Sequence, residues 1–141
     1  MDYISYSEKE TEEIGYEFVK SLTPGTVVAM YGFLGAGKTA FVRGMAKGLG
    51  INERVTSPTF TIVNEYNGDI PLFHFDMYRI SCSDDLFEIG WDDYLNRNGI
   101  IVTEWSENIC DVFDSSTIKV DIEKISDYER KITIIYPEEQ K

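Results

Sequence analysis

The chain has little sulfur and almost no imidazole, with two cysteines and one histidine in 141 residues. Cys82 and Cys110 stand apart with no C-x-x-C pair and only His74 to join them. Neither a disulfide framework nor a Cys/His zinc site is therefore suggested, and the cysteines read as plain thiols. Long apolar runs are missing too. No stretch approaches the roughly 20 apolar residues of a membrane helix, and the acidic start lacks the basic and apolar regions of a secretory signal, so a cytoplasmic protein is expected. Cations are scarce: 13 Lys and Arg against 25 Asp and Glu leave a formal net charge of −12. Binding of free DNA or RNA draws on cationic side chains that displace counterions from phosphates, so autonomous nucleic-acid binding is not expected. The acidic surplus is compatible with a basic protein partner and equally with simple solvation. Internal repeats, low-complexity tracts and linkers are absent, while 43% hydrophobic residues suffice for one core. Residues 1–141 are expected to form a single domain, frayed only at Glu138-Glu139-Gln140-Lys141.

Against these absences stands one complete motif. Gly32-Phe33-Leu34-Gly35-Ala36-Gly37-Lys38-Thr39 matches G-x-x-x-x-G-K-[ST]. It follows the apolar run Val27-Val28-Ala29-Met30-Tyr31 and precedes Phe41, Val42, Met45, Ala46 and Leu49 at helical spacing, which is the strand-loop-helix setting of a phosphate-binding loop. Glycines permit positive φ and close backbone approach, so successive N–H groups at a helix start can point at one anion. Lys38 is placed to reach the β- and γ-phosphates, and the Thr39 hydroxyl to meet Mg²⁺, a small hard cation that prefers oxygen ligands.

Around that unit the pattern alternates between helix and strand. Ser7 with Glu10 forms a capping box for a helix whose apolar face is Ile14, Phe18, Val19 and Leu22, ending before Pro24-Gly25. Thr59-Phe60-Thr61-Ile62-Val63 and Leu72-Phe73-His74-Phe75 flank Asn67-Gly68, a two-residue hairpin signal. Ser83 is a candidate cap for a short helical region containing Leu86, Phe87, Ile89 and Trp91. Asn98-Gly99 then leads into the buried strand Ile100-Ile101-Val102-Thr103. Ile118, Val120 and Ile122 alternate with Lys119, Asp121 and Glu123, and a second strand runs from Arg130 to Tyr136 past a turn near Asp127. The expected fold is α/β, a P-loop NTPase-like mixed sheet flanked by helices, with antiparallel hairpins.

A nucleotide hydrolase also needs an acidic group at the carboxyl end of a strand beside the loop strand, because open α/β sheets bind ligands at that edge. Asp76 and Glu104 both qualify. Either can hold Mg²⁺ while the other orients the attacking water, and Glu104 is preferred for the metal. Ser57-Pro58-Thr59 and Thr61 occupy a stretch where NTPases often sense the γ-phosphate, with Thr59 the better candidate; a Pro-containing turn feeding a strand is the competing reading. Arg79 is a phosphate contact, the partner of a carboxylate or a surface cation. Trp105 is either a core aromatic or a partner anchor. His74, on an apolar strand, is read as a hydrogen-bonded structural residue.

Gly32 through Thr39, Ser57-Pro58-Thr59-Phe60-Thr61, His74-Phe75-Asp76-Met77-Tyr78-Arg79 and Glu104-Trp105-Ser106-Glu107, in that order and spacing over nearly the whole chain, resemble the bacterial TsaE (YjeE) family. The resemblance implies an ATPase that supports synthesis of threonylcarbamoyladenosine next to the anticodon in tRNAs reading codons that begin with A. TsaD and TsaB carry out the transfer in that family, and TsaE binds their complex and uses ATP hydrolysis to restore it. Position by position, it implies Lys38 and the backbone of Gly35, Ala36, Gly37, Lys38, Thr39 and Ala40 for the phosphates, Thr39 and Glu104 for Mg²⁺, Thr59 for a switch-like segment and Asp76 for catalysis. Trp105 becomes a functional candidate on the same ground. Adenine would be held near the first helix, by residues such as Glu8, and near Arg130. Phe33 departs from the acidic or polar residue that many members carry inside the loop; its backbone still serves the cradle, while a side-chain role there is lost.

Two other readings use the same loop. A small-molecule kinase would need an acceptor pocket and several clamping arginines, whereas the chain holds only Arg43, Arg54, Arg79, Arg97 and Arg130 and no Arg-rich lid. A nucleotide-dependent binding switch would not require turnover, and the absence of an N-K-x-D segment weakens its GTPase form.

Overall fold

The computed structural model describes residues 1–32, 37–56, 62–77, 80, 83–104, 106, 113 and 115–137. Among these residues eleven elements follow in order: β1 (Asp2–Ser5), α1 (Glu8–Val19), β2 (Val27–Tyr31), α2 (Lys38–Gly48), β3 (Val63–Tyr66), β4 (Leu72–Asp76), α3 (Ser83–Glu88), α4 (Trp91–Leu95), β5 (Ile100–Glu104), β6 (Ile118–Lys124) and β7 (Arg130–Ile135). The strands make one mixed sheet in the order β1-β7-β6-β2-β5-β4-β3. β2 runs parallel to both β5 and β6, and β4 runs parallel to β5. The hairpins β3–β4 and β6–β7 and the pair β1–β7 are antiparallel. The expected α/β class, with its flanking helices and antiparallel hairpins, is what forms.

Side-chain alternation explains the layers. Val28 and Met30 of β2, Leu72 of β4, Ile100 and Val102 of β5, and Val120 and Ile122 of β6 pack with Phe18, Phe41, Val42 and Met45 in the larger core, under α1 and α2. Phe73, Phe75 and Ile101 point the other way and pack with Leu86, Trp91 and Tyr94, so α3 and α4 cover only that part of the second face. β4 and β5 are accordingly buried at every position, as parallel strands covered on both sides must be. On β6 one face is open, and burial alternates along the strand with the expected charged residues outward.

α1 starts where the capping residues place it: the Ser7 hydroxyl accepts from the Glu10 N–H at 3.1 Å. The reciprocal bond differs, since the Glu10 carboxylate takes the Tyr6 N–H at 3.0 Å rather than that of the cap residue. The hairpin differs more. Tyr66 pairs with Leu72, so the connection has five residues instead of two. Neither Asn67 nor Gly68 has the positive φ that a two-residue type I′ turn requires, while Ile70 is drawn against the core and the Pro71 carbonyl accepts the Ile100 N–H at 2.9 Å. β3 begins at Val63, with 59–61 outside the described residues. The helical region after Ser83 is two helices, because Gly90 turns left-handed at φ 94° and caps α4. β1 was not anticipated. Residues 138–141, the expected frayed end, lie outside the described residues. No helix among the described residues is long and apolar enough to cross a membrane.

Candidate functional site

β2 and α2 deliver the two ends of the glycine loop to the carboxyl edge of the sheet. Gly32 leaves β2 at φ 141° and Gly37 enters α2 at φ 102°. Gly37 is the N-cap of α2 and offers no side-chain cap, and no acidic residue occupies the first turn. The first turns of α1, α3 and α4 all carry acidic residues. In so acidic a chain this leaves the positive end of the α2 dipole for an external anion. Lys38, the first residue of α2, is 5% exposed, and its Nζ donates to the Gly32 carbonyl at 2.7 Å. The ammonium is thereby folded back across the loop it would serve. Thr39 is half-buried and Ala40 is buried beside it. Gly35 and Ala36 lie outside the described residues, as does Phe33.

The two candidate carboxylates arrive side by side. Glu104 ends β5, the strand beside β2, as expected; Asp76 ends β4, one strand further out rather than beside the loop strand, and the two are register partners. Each is only 5% exposed. Backbone bonds pin both: the Asp76 N–H donates to the Ile62 carbonyl at 2.7 Å, and the Glu104 carbonyl accepts the Met77 N–H at 2.9 Å. Asp76 alternates with Leu72, and Glu104 with Ile100 and Val102, all packed toward α1 and α2, so both carboxylates share the face on which α2 begins. The carboxyl ends of β2, β5 and β4 thus lie along the sheet edge from which the loop leads into α2. His74, two residues before Asp76 on this same face, hydrogen-bonds Glu104 through Nε2. The sequence does not signal that pairing, because Glu104 reaches His74 only once β4 and β5 are neighbours.

The donor set is chemically specific. Thr39, Asp76 and Glu104 offer hard oxygens. That combination suits magnesium, which keeps several waters and takes phosphate oxygens rather than filling its shell from protein.

The adenine-side candidates divide. Arg130 opens β7 beside the loop: a Cβ built on Gly37 would lie 3.9 Å from Arg130 Nε and 4.0 Å from Thr11 Cγ2. Its Nη1 also donates to the Ser126 and Glu129 carbonyls at 2.8 and 3.1 Å, tying the last hairpin. Glu8 opens α1 with its side chain 72% exposed, 3.3 Å from the Arg43 guanidinium. Glu12, one turn on, takes Lys47 at 2.7 Å and Arg43 at 3.4 Å. Burial pushes the Glu12 carboxyl up, but these two cations outweigh it and hold it below its ordinary value of 4.5. Thr59, Arg79 and Trp105 lie outside the described residues.

A family model described as threonylcarbamoyl adenosine biosynthesis protein TsaE matches residues 5–132, a span that contains every one of these positions. The chain belongs to the TsaE family. It is similar to the tRNA threonylcarbamoyladenosine biosynthesis protein TsaE of Treponema pallidum (strain Nichols), at 38% identity over 134 residues, covering 95% of this chain and 99% of that one. The TsaE protein of Bacillus subtilis (strain 168) is 40% identical over 126 residues, covering 89% and 78%. Among solved structures, the crystal structure of Bacillus subtilis YdiB superposes with a TM-score of 0.83 at 34% identity, covering 96% of this chain and 84% of that one. The mixed sheet and its flanking helices are therefore those of a TsaE-family protein.

Proposed function

We propose that this TsaE-family chain is a cytoplasmic, magnesium-dependent ATPase that binds a TsaB–TsaD complex. On this reading its hydrolysis of ATP supports repeated cycles of threonylcarbamoyl transfer to the adenosine next to the anticodon in tRNAs reading codons that begin with A. The observation that carries the reading is the convergence of Lys38, folded onto the Gly32 carbonyl, with the register-paired carboxylates Asp76 and Glu104 at one sheet edge. The tRNA pathway is what the matched family and relatives are named for.

Each residue then has a part. The N–H groups at the start of α2 and the loop backbone receive the phosphates, and Lys38 places its charge on the β- and γ-phosphate oxygens. Thr39 and Glu104 would hold magnesium, which when bound offsets the negative charge that builds on the phosphate oxygens during transfer. Asp76, beside Glu104, orients the attacking water by accepting its hydrogen bond. Thr59 belongs to the segment that senses the γ-phosphate, and Trp105 and Arg79 to contacts with nucleotide or partner. Arg130 and α1 near Glu8 border the adenine. With a charge of −12 the chain acts on the protein complex and leaves tRNA contact to its partners.

Phosphate release from Mg-ATP, measured with and without the TsaB–TsaD pair, tests this directly. Stimulation by the pair is expected. Slow release indifferent to the pair would refute the partner assignment, and a phosphorylated acceptor in place of free phosphate would make the chain a kinase.

A further inference from the structure

His74 is the chain's one histidine, and it is completely buried on β4. It pairs in register with Val102, and Glu104 lies two residues further along β5. A two-residue step returns a strand's side chains to the same face. The imidazole therefore meets the carboxylate diagonally across the ladder, His74 Nε2 against Glu104 Oε2. The other ring nitrogen, Nδ1, is buried with no hydrogen-bond partner among the described residues.

That orphan decides where the ring proton sits. A carboxylate only accepts, so an ionised Glu104 requires the proton on Nε2. The alternatives, a doubly protonated ring or a neutral ring with its proton on Nδ1 facing a protonated Glu104, both leave a buried Nδ1–H with no acceptor among the described residues. With the proton on Nε2 the donor is satisfied and only a lone pair is left bare. Buried orphaned N–H groups are the rarer and costlier of the two.

We propose that His74 is a positioning residue for Glu104: its Nε2–H holds Oε2, fixes the carboxylate's rotation, and leaves Oε1 as the oxygen committed to the cation. This rests on the reading of Glu104 as the magnesium-side carboxylate. A carboxylate already held by a second side chain has little freedom left to lose when a metal arrives, and removing such outer partners typically costs about 10- to 100-fold in metal affinity or activity.

The test begins with the metal-free, tag-free protein, where a single histidine gives one pair of ring nitrogen resonances in ¹⁵N NMR. A protonated Nε2 with a bare Nδ1 is expected; the Nδ1–H tautomer would overturn the proposal. Mn²⁺ then serves as the probe ion, titrated in the presence of a non-hydrolysable ATP analogue. His74→Leu should weaken Mn²⁺ binding about 10- to 100-fold, and His74→Gln, whose amide can present an N–H near the position of Nε2, should restore most of it. Equal loss in both variants would reduce His74 to packing and overturn the positioning role. If His74→Leu does not fold, His74→Gln decides alone, with retained affinity supporting the role and lost affinity overturning it. Glu104→Ala separates the two levels. Unchanged Mn²⁺ affinity there overturns the reading of Glu104 itself, whereas a weakened Glu104→Ala beside an unchanged His74→Leu overturns only the positioning.

Discussion

Replacing Gly44 by alanine should destabilise the fold and loosen the phosphate site, although alanine is the better helix former. A Cβ built on Gly44 of α2 would fall 1.9 Å from the Glu12 carbonyl oxygen of α1, 2.7 Å from its carbonyl carbon and 2.9 Å from its Cα. All three are backbone atoms, so no rotamer change relieves the clash, and the helices must part by more than about 1 Å to restore ordinary contact. Parting them opens a seam closed by two more glycines. A Cβ on Gly15 would meet the Phe41 carbonyl oxygen at 2.3 Å, and one on Gly48 the Val19 Cγ1 at 2.3 Å and the Tyr16 carbonyl oxygen at 2.7 Å. Overpacking against a rigid neighbour costs about 1–3 kcal/mol and occasionally more, while Gly→Ala within a helix returns about 1 kcal/mol. With a backbone clash at the upper end of that range, the net loss is about 2 kcal/mol. For a domain of this size that lowers Tm by roughly 6–10 °C. Thermal and urea denaturation of Gly44→Ala read this out, and ATP affinity should fall with it because α2 begins at Lys38. A Gly44→Ala protein as stable as the parent, or more stable, would refute the close-packed seam. Gly15→Ala should act in the same direction, with the double variant less than additive because one separation of the helices relieves both clashes.

Further outcomes follow from the site. Lys38→Ala should abolish tight ATP binding in a titration while leaving the melting curve cooperative, since it removes the cation folded over the loop. Asp76→Ala should retain ATP binding and slow hydrolysis, because the loop and Glu104 stay in place; loss of binding instead would make Asp76 part of the phosphate or metal grip. Glu12 links stability to pH. Its folded-state value lies below 4.5, so the ion pairs with Lys47 and Arg43 stabilise above that pH and their contribution fades as the pH falls through the lower, folded value. Wild type should exceed Glu12→Gln in urea midpoint at neutral pH and converge with it in acid, and a gap that persists unchanged in acid would contradict this origin.

Much of the frame was legible because its signals are local. The strand before the glycine motif, the helix after it, the Ser7 cap and the alternation along Ile118, Val120 and Ile122 each come from residues a few positions apart, and each element formed. What escaped depends on tertiary context. β1 holds just Tyr3 and Ile4 as apolar residues in four positions, too short for a period to show, and it is a strand because β7 offers it an edge. Asn67-Gly68 has the composition of a tight turn, but the core claims Ile70 and the β5 ladder claims the Pro71 carbonyl. The glycine seam went unread because an amphipathic pattern counts apolar side chains, and Gly15, Gly44 and Gly48 matter for having none. Asp76 and Glu104 could each be placed at a strand end from sequence. That they are register partners required β4 and β5 to be neighbours, and the hold of His74 on Glu104 follows from that adjacency.

The central claim is that ATP hydrolysis by this chain sustains repeated modification, and it is tested most directly by counting threonylcarbamoyladenosines formed per TsaB–TsaD complex. Mg-ATP, tRNA and the transfer substrates would be supplied in excess, with the wild-type chain, Glu104→Ala or no addition. The account predicts many modifications per complex with wild type, and about one with Glu104→Ala or with none added. Repeated modification with a Glu104→Ala chain that binds ATP and releases no phosphate would contradict it and make the protein a nucleotide-dependent binding switch.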